Sequence, residues 1–204
     1  MLFEDTYRTI EKPTAGIFRD RGSKFLAYAY PISSEAEIKN LLLLLKNEHP
    51  KANHHCWAIR IGIDRIVFRI NDDGEPSGTA GRPILNTLLS HDLTNVLVVV
   101  IRYFGGTLLG VPGLINAYKS ATDEALKTAI VIEKTVNDFY TINFEYLQMN
   151  DVMKIIKDDN VTVINQEFDN SCRIKVSIRK TQVNATLGKL NKIANLTAKY
   201  DYSM

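Results

Sequence analysis

The sequence predicts an α+β fold in two domains, the first over residues 1–134 and the second over residues 135–204. Two glycine-rich loops between residues 71 and 119 each precede a helical pattern, and Val96–Phe104 between them is an almost continuous apolar run. From Val136 onward, strand and helix patterns follow one another regularly. The pattern changes near Glu133–Asn137, and the length of 204 residues suits two modest domains.

The first domain combines three predicted helices with strands. Residues 34–48 open with a capping box, Ser34 to Glu37, and close before Pro50, which predicts a helix. Pro83 suits the first turn of a second helix, and 113–129 is the third. Val96–Phe104 is apolar enough to be a strand covered on both faces. The other predicted strands are Lys24–Tyr30, His55–Ile61 and Ile66–Ile70, with a turn at Gly62–Asp64.

The second domain has the element order βαββαβ, which is typical of the ferredoxin-like fold. In this fold both helices cover one face of the sheet. On the two strands expected at the centre, the open face is predicted to be polar and to lack the aromatic side chains that stack on RNA bases. A solvated or domain-packing face is one interpretation, and phosphate contact is the other. The candidate phosphate contacts are Arg173, Lys175 and Arg179.

Composition excludes several classes of protein. No apolar stretch approaches the roughly 18 residues of a membrane span, and the N-terminus lacks the apolar region of a signal peptide. Cys56 and Cys172 are isolated, which suits a reducing compartment, so we expect a cytoplasmic protein without a membrane partner. The net charge of +2 is too small to indicate nucleic-acid binding by itself.

The glycine-rich loops offer backbone N–H groups at the starts of two helices, where anions bind. Neither loop matches a nucleotide motif, because no Gly-Lys-Ser/Thr triplet occurs and Thr107 stands where a dinucleotide loop needs glycine. Tight turns are the structural alternative. Arg102 interrupts the apolar run, and it either pairs with an acid of residues 72–75 or faces a phosphate-bearing ligand. We expect an intermediate arrangement, in which Arg102 forms a salt bridge to one acid and its remaining donors are free in the cleft. The candidate ligand-binding residues are Asp72, Asp73, Glu75, Ser77, Thr79, Arg82, Arg102, Tyr103, Gly105, Gly106 and Lys119.

Catalytic and metal motifs are weak. His54 and His55 are adjacent on a strand and therefore point to opposite faces, so we expect a structural role for the His54–Cys56 segment. Ser77 lies outside any nucleophile-elbow pattern. We assign no catalytic residue, no metal ligand and no cofactor.

Four stretches of this sequence resemble the YigZ/IMPACT family. They are Ser23-Lys24-Phe25-Leu26-Ala27, His49-Pro50 followed by His54-His55-Cys56, the block Asp72-Asp73-Gly74-Glu75-Pro76-Ser77-Gly78-Thr79-Ala80-Gly81, and Arg102-Tyr103-Phe104-Gly105-Gly106 with Leu109-Gly110. The match covers roughly residues 18–130, and the C-terminal pattern suits a bacterial two-domain member.

The resemblance implies a first domain with the ribosomal protein S5 domain 2-like fold and a second domain similar to one of elongation factor G. It also implies a role in translation, because eukaryotic members regulate translation through protein partners during amino-acid starvation. This chain departs from the usual Gly-Ala-Gly-Gly-Leu-Val-Arg-Ala-Tyr pattern at residues 110–118. Pro112 removes a backbone donor, and Asn116 replaces a cation.

Two functions follow as hypotheses. The favoured one is a non-enzymatic, translation-associated module that binds RNA, the ribosome or a translation-linked protein through its glycine-rich face. The alternative is an enzyme or small-anion binder that uses the acids of residues 72–75 with Arg102, with a divalent cation such as Mg²⁺. The sequence sets no oligomeric state.

Overall fold

The computed structural model describes residues 5–62, 67–168 and 172–204. Strands and helices alternate irregularly, which confirms the α+β class. The elements are β1 (Thr6–Ile10), β2 (Thr14–Asp20), β3 (Ser23–Pro31), α1 (Ala36–Glu48), β4 (His54–Ile61), β5 (Val67–Asn71), α2 (Gly81–Ser90), β6 (Val96–Tyr103), α3 (Gly110–Lys127), β7 (Val131–Thr135), β8 (Asn137–Phe144), α4 (Met149–Asp158), β9 (Thr162–Phe168), β10 (Cys172–Arg179), α5 (Val183–Leu190) and β11 (Thr197–Ser203).

Two compact units contain these elements. One comprises residues 8–133, and the other comprises residues 5–7 together with 134–204. Strands β1 and β7 form a separate two-stranded sheet. None of the helices in the described ranges is both long and apolar enough to span a membrane.

The unit of residues 8–133 is organised around strand β6. Its antiparallel sheet has the order β2-β3-β6-β4-β5, so β6 is the central strand. Val96, Val98 and Val100 pack in one core with α2 and α3, whereas the alternate residues of β6 pack in a second core with α1. The apolar run of β6 therefore reflects helices on both faces, as predicted.

Some boundaries of this unit differ from the prediction. Helix α3 begins at Gly110 instead of residue 113, so Gly110–Gly113 form its first turn and are not a loop. Strands β1, β2 and β7 were not predicted. Gly16 of β2 explains part of this failure. A Cβ at Gly16 would lie 2.2 Å from the backbone N of Ala125 on α3, so β2 packs against this helix through a glycine and not through an apolar side chain that the sequence would reveal. Ile66 and most of the predicted turn at Gly62–Asp64 lie outside the described residues.

The second unit shows the predicted βαββαβ order, and its antiparallel sheet has the order β11-β8-β10-β9. Helices α4 and α5 share a core with one face of this sheet, where Ile142, Ile174 and Val176 are completely buried. This arrangement places β8 and β10 at the centre, as expected.

The prediction that the other face lacks aromatic residues is wrong. Phe139, two residues before Thr141 on β8, lies on that face, and the ring of Tyr202 stacks on it with centroids 4.5 Å apart. A register shift between Tyr200 and Tyr202 turns the Tyr202 side chain toward this face. A prediction that assumes strict alternation of the two sheet faces along a strand cannot detect such a bulge.

Candidate functional site

The loop before α2 supplies its own anion. One carboxylate oxygen of Asp72 accepts hydrogen bonds from the backbone N–H groups of Ala80 (3.1 Å) and Gly81 (2.8 Å), and the other accepts from Gly78 N (2.9 Å). Helix α2 begins at Gly81, so the carboxylate occupies the position in which a helix N-terminus attracts an anion. The N–H groups of Gly78, Ala80 and Gly81, which the sequence offers to an anionic ligand, therefore donate to Asp72 within the chain.

Asp73 fastens the same loop to β4. Its carboxylate accepts a hydrogen bond from the backbone N–H of His55 at 2.7 Å, and its carbonyl oxygen lies 2.8 Å from Nδ1 of His54. The backbone of Asp73 is left-handed, with φ of 41°. Burial lowers the pKa of His55, which favours the neutral imidazole. These contacts give the histidine pair a structural role.

Glu75 and Arg102 form a buried ion pair. Nη1 of Arg102 donates to Oε1 of Glu75 at 2.5 Å, and the two side chains are 6% and 3% exposed. The Tyr118 hydroxyl donates to the same oxygen at 2.8 Å. Of the two sequence-based interpretations of Arg102, the structure therefore shows the pairing with an acid of residues 72–75.

Sequence reasoning missed Tyr118 as a member of this cluster. The sequence predicts a helix over residues 113–129 and gives Tyr118 no polar role, yet its hydroxyl donates to Glu75 and lies 3.3 Å from Sγ of Cys56. Burial raises the pKa of the Tyr118 hydroxyl far above its usual value. Burial likewise raises the pKa of Cys56, whose sulfur also lies 2.9 Å from the Asp72 carbonyl oxygen. Both groups stay protonated, so Cys56 lacks the thiolate that a nucleophile needs.

The guanidinium of Arg102 is not fully engaged. Its Nε is buried and has no hydrogen-bond partner in the part of the chain that the structure describes. The rings of Phe25 and Phe104 lie near the guanidinium, with centroids 5.5 and 5.4 Å from Cζ. Phe25 is completely buried, whereas Phe104 is partly exposed to solvent. The Arg102 side chain therefore combines a structural ion pair with a donor that remains unsatisfied.

The other predicted residues divide into exposed and internally bonded positions. Ser77, Arg82 and Lys119 are exposed. The Thr79 hydroxyl is buried and donates to the carbonyl of Pro76 at 2.7 Å. Tyr103 follows Arg102 and therefore points to the opposite sheet face, where its hydroxyl lies 2.9 Å from Nδ1 of His49.

The two glycines after Phe104 have different roles. Gly105 allows a close approach, because a Cβ there would lie 2.0 Å from the carbonyl carbon of Gly22. Gly106 has φ of +84°, and a Cβ there would meet nothing within 4 Å. The first glycine is therefore explained by packing and the second by its backbone conformation.

The three predicted phosphate contacts in the second unit are all paired with acids. Arg173 lies 3.7 Å from Glu167, and Nζ of Lys175 lies 3.9 Å from Asp201 and 5.0 Å from the ring centroid of Tyr202. Arg179 is bidentate to Asp5, at 2.6 and 3.0 Å. The Arg179 guanidinium, together with the Thr181 hydroxyl, holds the pKa of Asp5 far below its usual range.

No group of three His, Cys, Asp or Glu side chains suited to a metal ion occurs within residues 5–62, 67–168 and 172–204. The acids of residues 72–75 lie close together, but their oxygens accept from backbone amides, an arginine and a tyrosine. These contacts hold the loop against β4, β6 and α3.

Comparison with known proteins connects this loop to a family. The model of the Impact N-terminal domain matches residues 21–126, which include the Asp72–Gly81 loop, the Glu75–Arg102 pair and Tyr118. The chain belongs to the IMPACT family. An IMPACT family member from Haemophilus influenzae is 32% identical over 83% of this chain and 84% of its own length. YigZ from Escherichia coli is 29% identical over 87% of this chain and 88% of its own.

A solved structure is similar to this chain over nearly its whole length. The crystal structure of a hypothetical protein is 27% identical, covers 98% of this chain and 99% of its own, and has a TM-score of 0.74. The resemblance of the Asp72–Gly81 and Arg102–Gly106 blocks to the IMPACT family is therefore confirmed.

Proposed function

We propose that this chain is a non-enzymatic regulator associated with translation, which acts by binding RNA, the ribosome or a translation-linked protein through its glycine-rich face. Membership of the IMPACT family supports the link to translation. The eukaryotic members of this family, as the resemblance implies, control translation through protein partners.

One observation carries the proposal of binding without catalysis. Each acid that an active site would use is engaged inside the protein, Asp72 by three backbone N–H groups, Asp73 by the N–H of His55, and Glu75 by Arg102 and Tyr118. A general base has to contact its substrate, whereas the Glu75 side chain is only 3% exposed and is ion-paired with Arg102. These carboxylates instead shape a rigid loop, and we interpret that loop as a presented surface.

The side chains around this loop are available for contacts. Arg82 on α2 and Lys119 on α3 are exposed, as are the residues from Phe104 to Leu108 that follow β6. Surface loops that rest on a rigid scaffold commonly carry binding function. We therefore assign the binding surface to the glycine-rich face of the 8–133 unit.

The experiment is co-sedimentation of the full-length chain with ribosomes, together with affinity capture from cell extract, at low and high salt. Contacts to phosphate make affinity fall steeply with salt, whereas a protein interface is less sensitive. We expect specific association at low salt, above that of an unrelated protein of similar size and charge. Absence of association with ribosomes, RNA and protein at low salt contradicts the proposed function.

The same proposal extends to fold and location. We propose the ribosomal protein S5 domain 2-like fold for the first domain and the ferredoxin-like fold, as in elongation factor G, for the second. The antiparallel order β11-β8-β10-β9 with two helices on one face supports the second assignment. We also propose domain limits of 1–134 and 135–204 and a cytoplasmic location, which two unpaired cysteines suit.

A further inference from the structure

Arg102 holds a donor that has no acceptor among the residues that the structure describes. Its Nη1 is bonded to Glu75, but its buried Nε has no partner in the described ranges. Arg102 as a whole is 5% exposed and lies beside Phe25 of β3 and His54 of β4 in the sheet register. Buried donors in proteins are nearly always satisfied, so this donor suits an oxygen supplied from outside the protein.

Phe104 lies beside the Arg102 guanidinium and is exposed to solvent. Its ring lies 5.4 Å from Cζ of Arg102 and is 44% exposed, and the next two residues are Gly105 and Gly106. Exposed side chains change rotamer on the picosecond-to-nanosecond timescale. A rotamer change moves this ring away from the guanidinium without any movement of β6.

Exposed apolar residues continue from Phe104 along the chain. Leu108 is 82% exposed, and Val111 and Ile115, four residues apart on α3, are exposed as well. Residues at this spacing share one face of a helix. Single exposed apolar residues are ordinary, but four of them within residues 104–115, beginning beside the Arg102 guanidinium, indicate an interaction surface.

The local charge disfavours phosphate as the partner. Residues 104–115 contain no charged side chain, so the exposed run from Phe104 to Ile115 offers no cation to a phosphate. Contacts of Lys and Arg to phosphate supply much of the affinity of proteins for nucleic acids. A neutral carbonyl oxygen, in contrast, satisfies Nε of Arg102 without such contacts. The chemistry favours a polypeptide over a nucleic acid.

We propose that Arg102, Phe104 and Leu108 form a docking site for a segment of another protein. An apolar side chain of that segment packs on Phe104 and Leu108, and one of its carbonyl oxygens accepts a hydrogen bond from Nε of Arg102. This inference rests on the proposed function, because it names the class of partner that the glycine-rich face binds.

The test uses the full-length chain with two defined probes, a displayed library of random short peptides and a single-stranded RNA oligonucleotide. Leu108→Asp places a charge in the site. Leu43→Asp is the matched control, since Leu43 is 58% exposed on α1, which covers the opposite sheet face. Arg102→Lys keeps a cation for Glu75 but removes Nε as a donor.

We expect the unmodified chain to enrich a set of peptides from the library. The affinity of the chain for these peptides should fall at least about tenfold with Leu108→Asp and with Arg102→Lys, and should stay within about twofold with Leu43→Asp. If thermal unfolding shows that Arg102→Lys is unstable, Phe104→Ser at an exposed position takes its place. The inference is overturned if no peptide is enriched, if all variants bind the peptides equally, or if the RNA binds in a Leu108-dependent manner. If the docking site is refuted in this way but the unmodified chain still binds ribosomes or a protein from extract, the proposed function stands. If the unmodified chain binds none of these partners, both the docking site and the proposed function are refuted.

Discussion

Replacement of Arg102 by alanine will leave the Glu75 carboxylate in the core without its charged partner. The two side chains are 6% and 3% exposed, and Nη1 lies 2.5 Å from Oε1. After the substitution, Glu75 keeps the Tyr118 hydroxyl, at 2.8 Å, as a donor to its side chain. Removal of one partner of a buried ion pair costs about 3–5 kcal/mol, so we expect the free energy of unfolding to fall by that amount.

Urea unfolding followed by the fluorescence of Trp57 measures this loss. Trp57 is the only tryptophan of the chain and lies on β4, beside the sheet strand that carries Arg102. A double-mutant cycle with Glu75→Gln isolates the pairwise energy, and the two substitutions together should cost clearly less than their sum. A loss below about 0.5 kcal/mol for Arg102→Ala, as at exposed sites, refutes the reasoning. Additivity of the two substitutions refutes it as well.

Three further predictions concern other parts of the chain. Asp5→Asn should lower stability by about 1.5–3 kcal/mol at neutral pH, because it removes the charged acceptor of Arg179. Folding lowers the pKa of Asp5, so the stabilisation from its carboxylate is complete above the unfolded pKa of about 4 and is lost as the pH falls through the folded pKa. Melting curves from circular dichroism should therefore show the melting temperatures of the two proteins converging in acid. A difference in melting temperature that does not change with pH contradicts this. Gly105→Ala should cost about 1–3 kcal/mol through its clash with the β2–β3 turn, and an unchanged urea midpoint excludes that close approach. Cys56 and Cys172 are both buried, so a thiol reagent should label them only after unfolding, and rapid labelling of the native chain contradicts the assignment of inert thiols.

The second unit was the more predictable part of the fold. Strands β8 and β10 have one buried and one open face, so their apolar residues alternate with polar ones along the sequence. The first unit lacks this regularity at its edge. Strand β2 pairs only with β3 and shows no completely buried residue, so its pattern resembles that of a loop. Tyr202 escaped prediction because a register shift changes the face of every later residue.

The candidate site was predictable as a location but not as a set of bonds. Glycine content and charge pointed to residues 72–106, and the ion pair of Arg102 with an acid followed from the cost of burying a charge. The path of the loop decides which acid Arg102 bonds. Asp72 fixes this path through hydrogen bonds from backbone N–H groups up to nine residues away in sequence. Tyr118 reaches Glu75 across 43 positions in sequence, and an aromatic residue on an apolar helical stripe gives no sign of its hydroxyl partner.

The carboxylate of Asp72 has a consequence for any anion dissolved in the cell. It acts as a tethered ligand for the amides at the start of α2, held there by the chain at an effective concentration in at least the millimolar range. A free phosphate has to displace this ligand and also pays for its own lost translational freedom. The Asp72 carboxylate therefore occupies these amides as soon as the loop folds. The glycines of the loop allow the tight backbone path that brings the amides to this carboxylate.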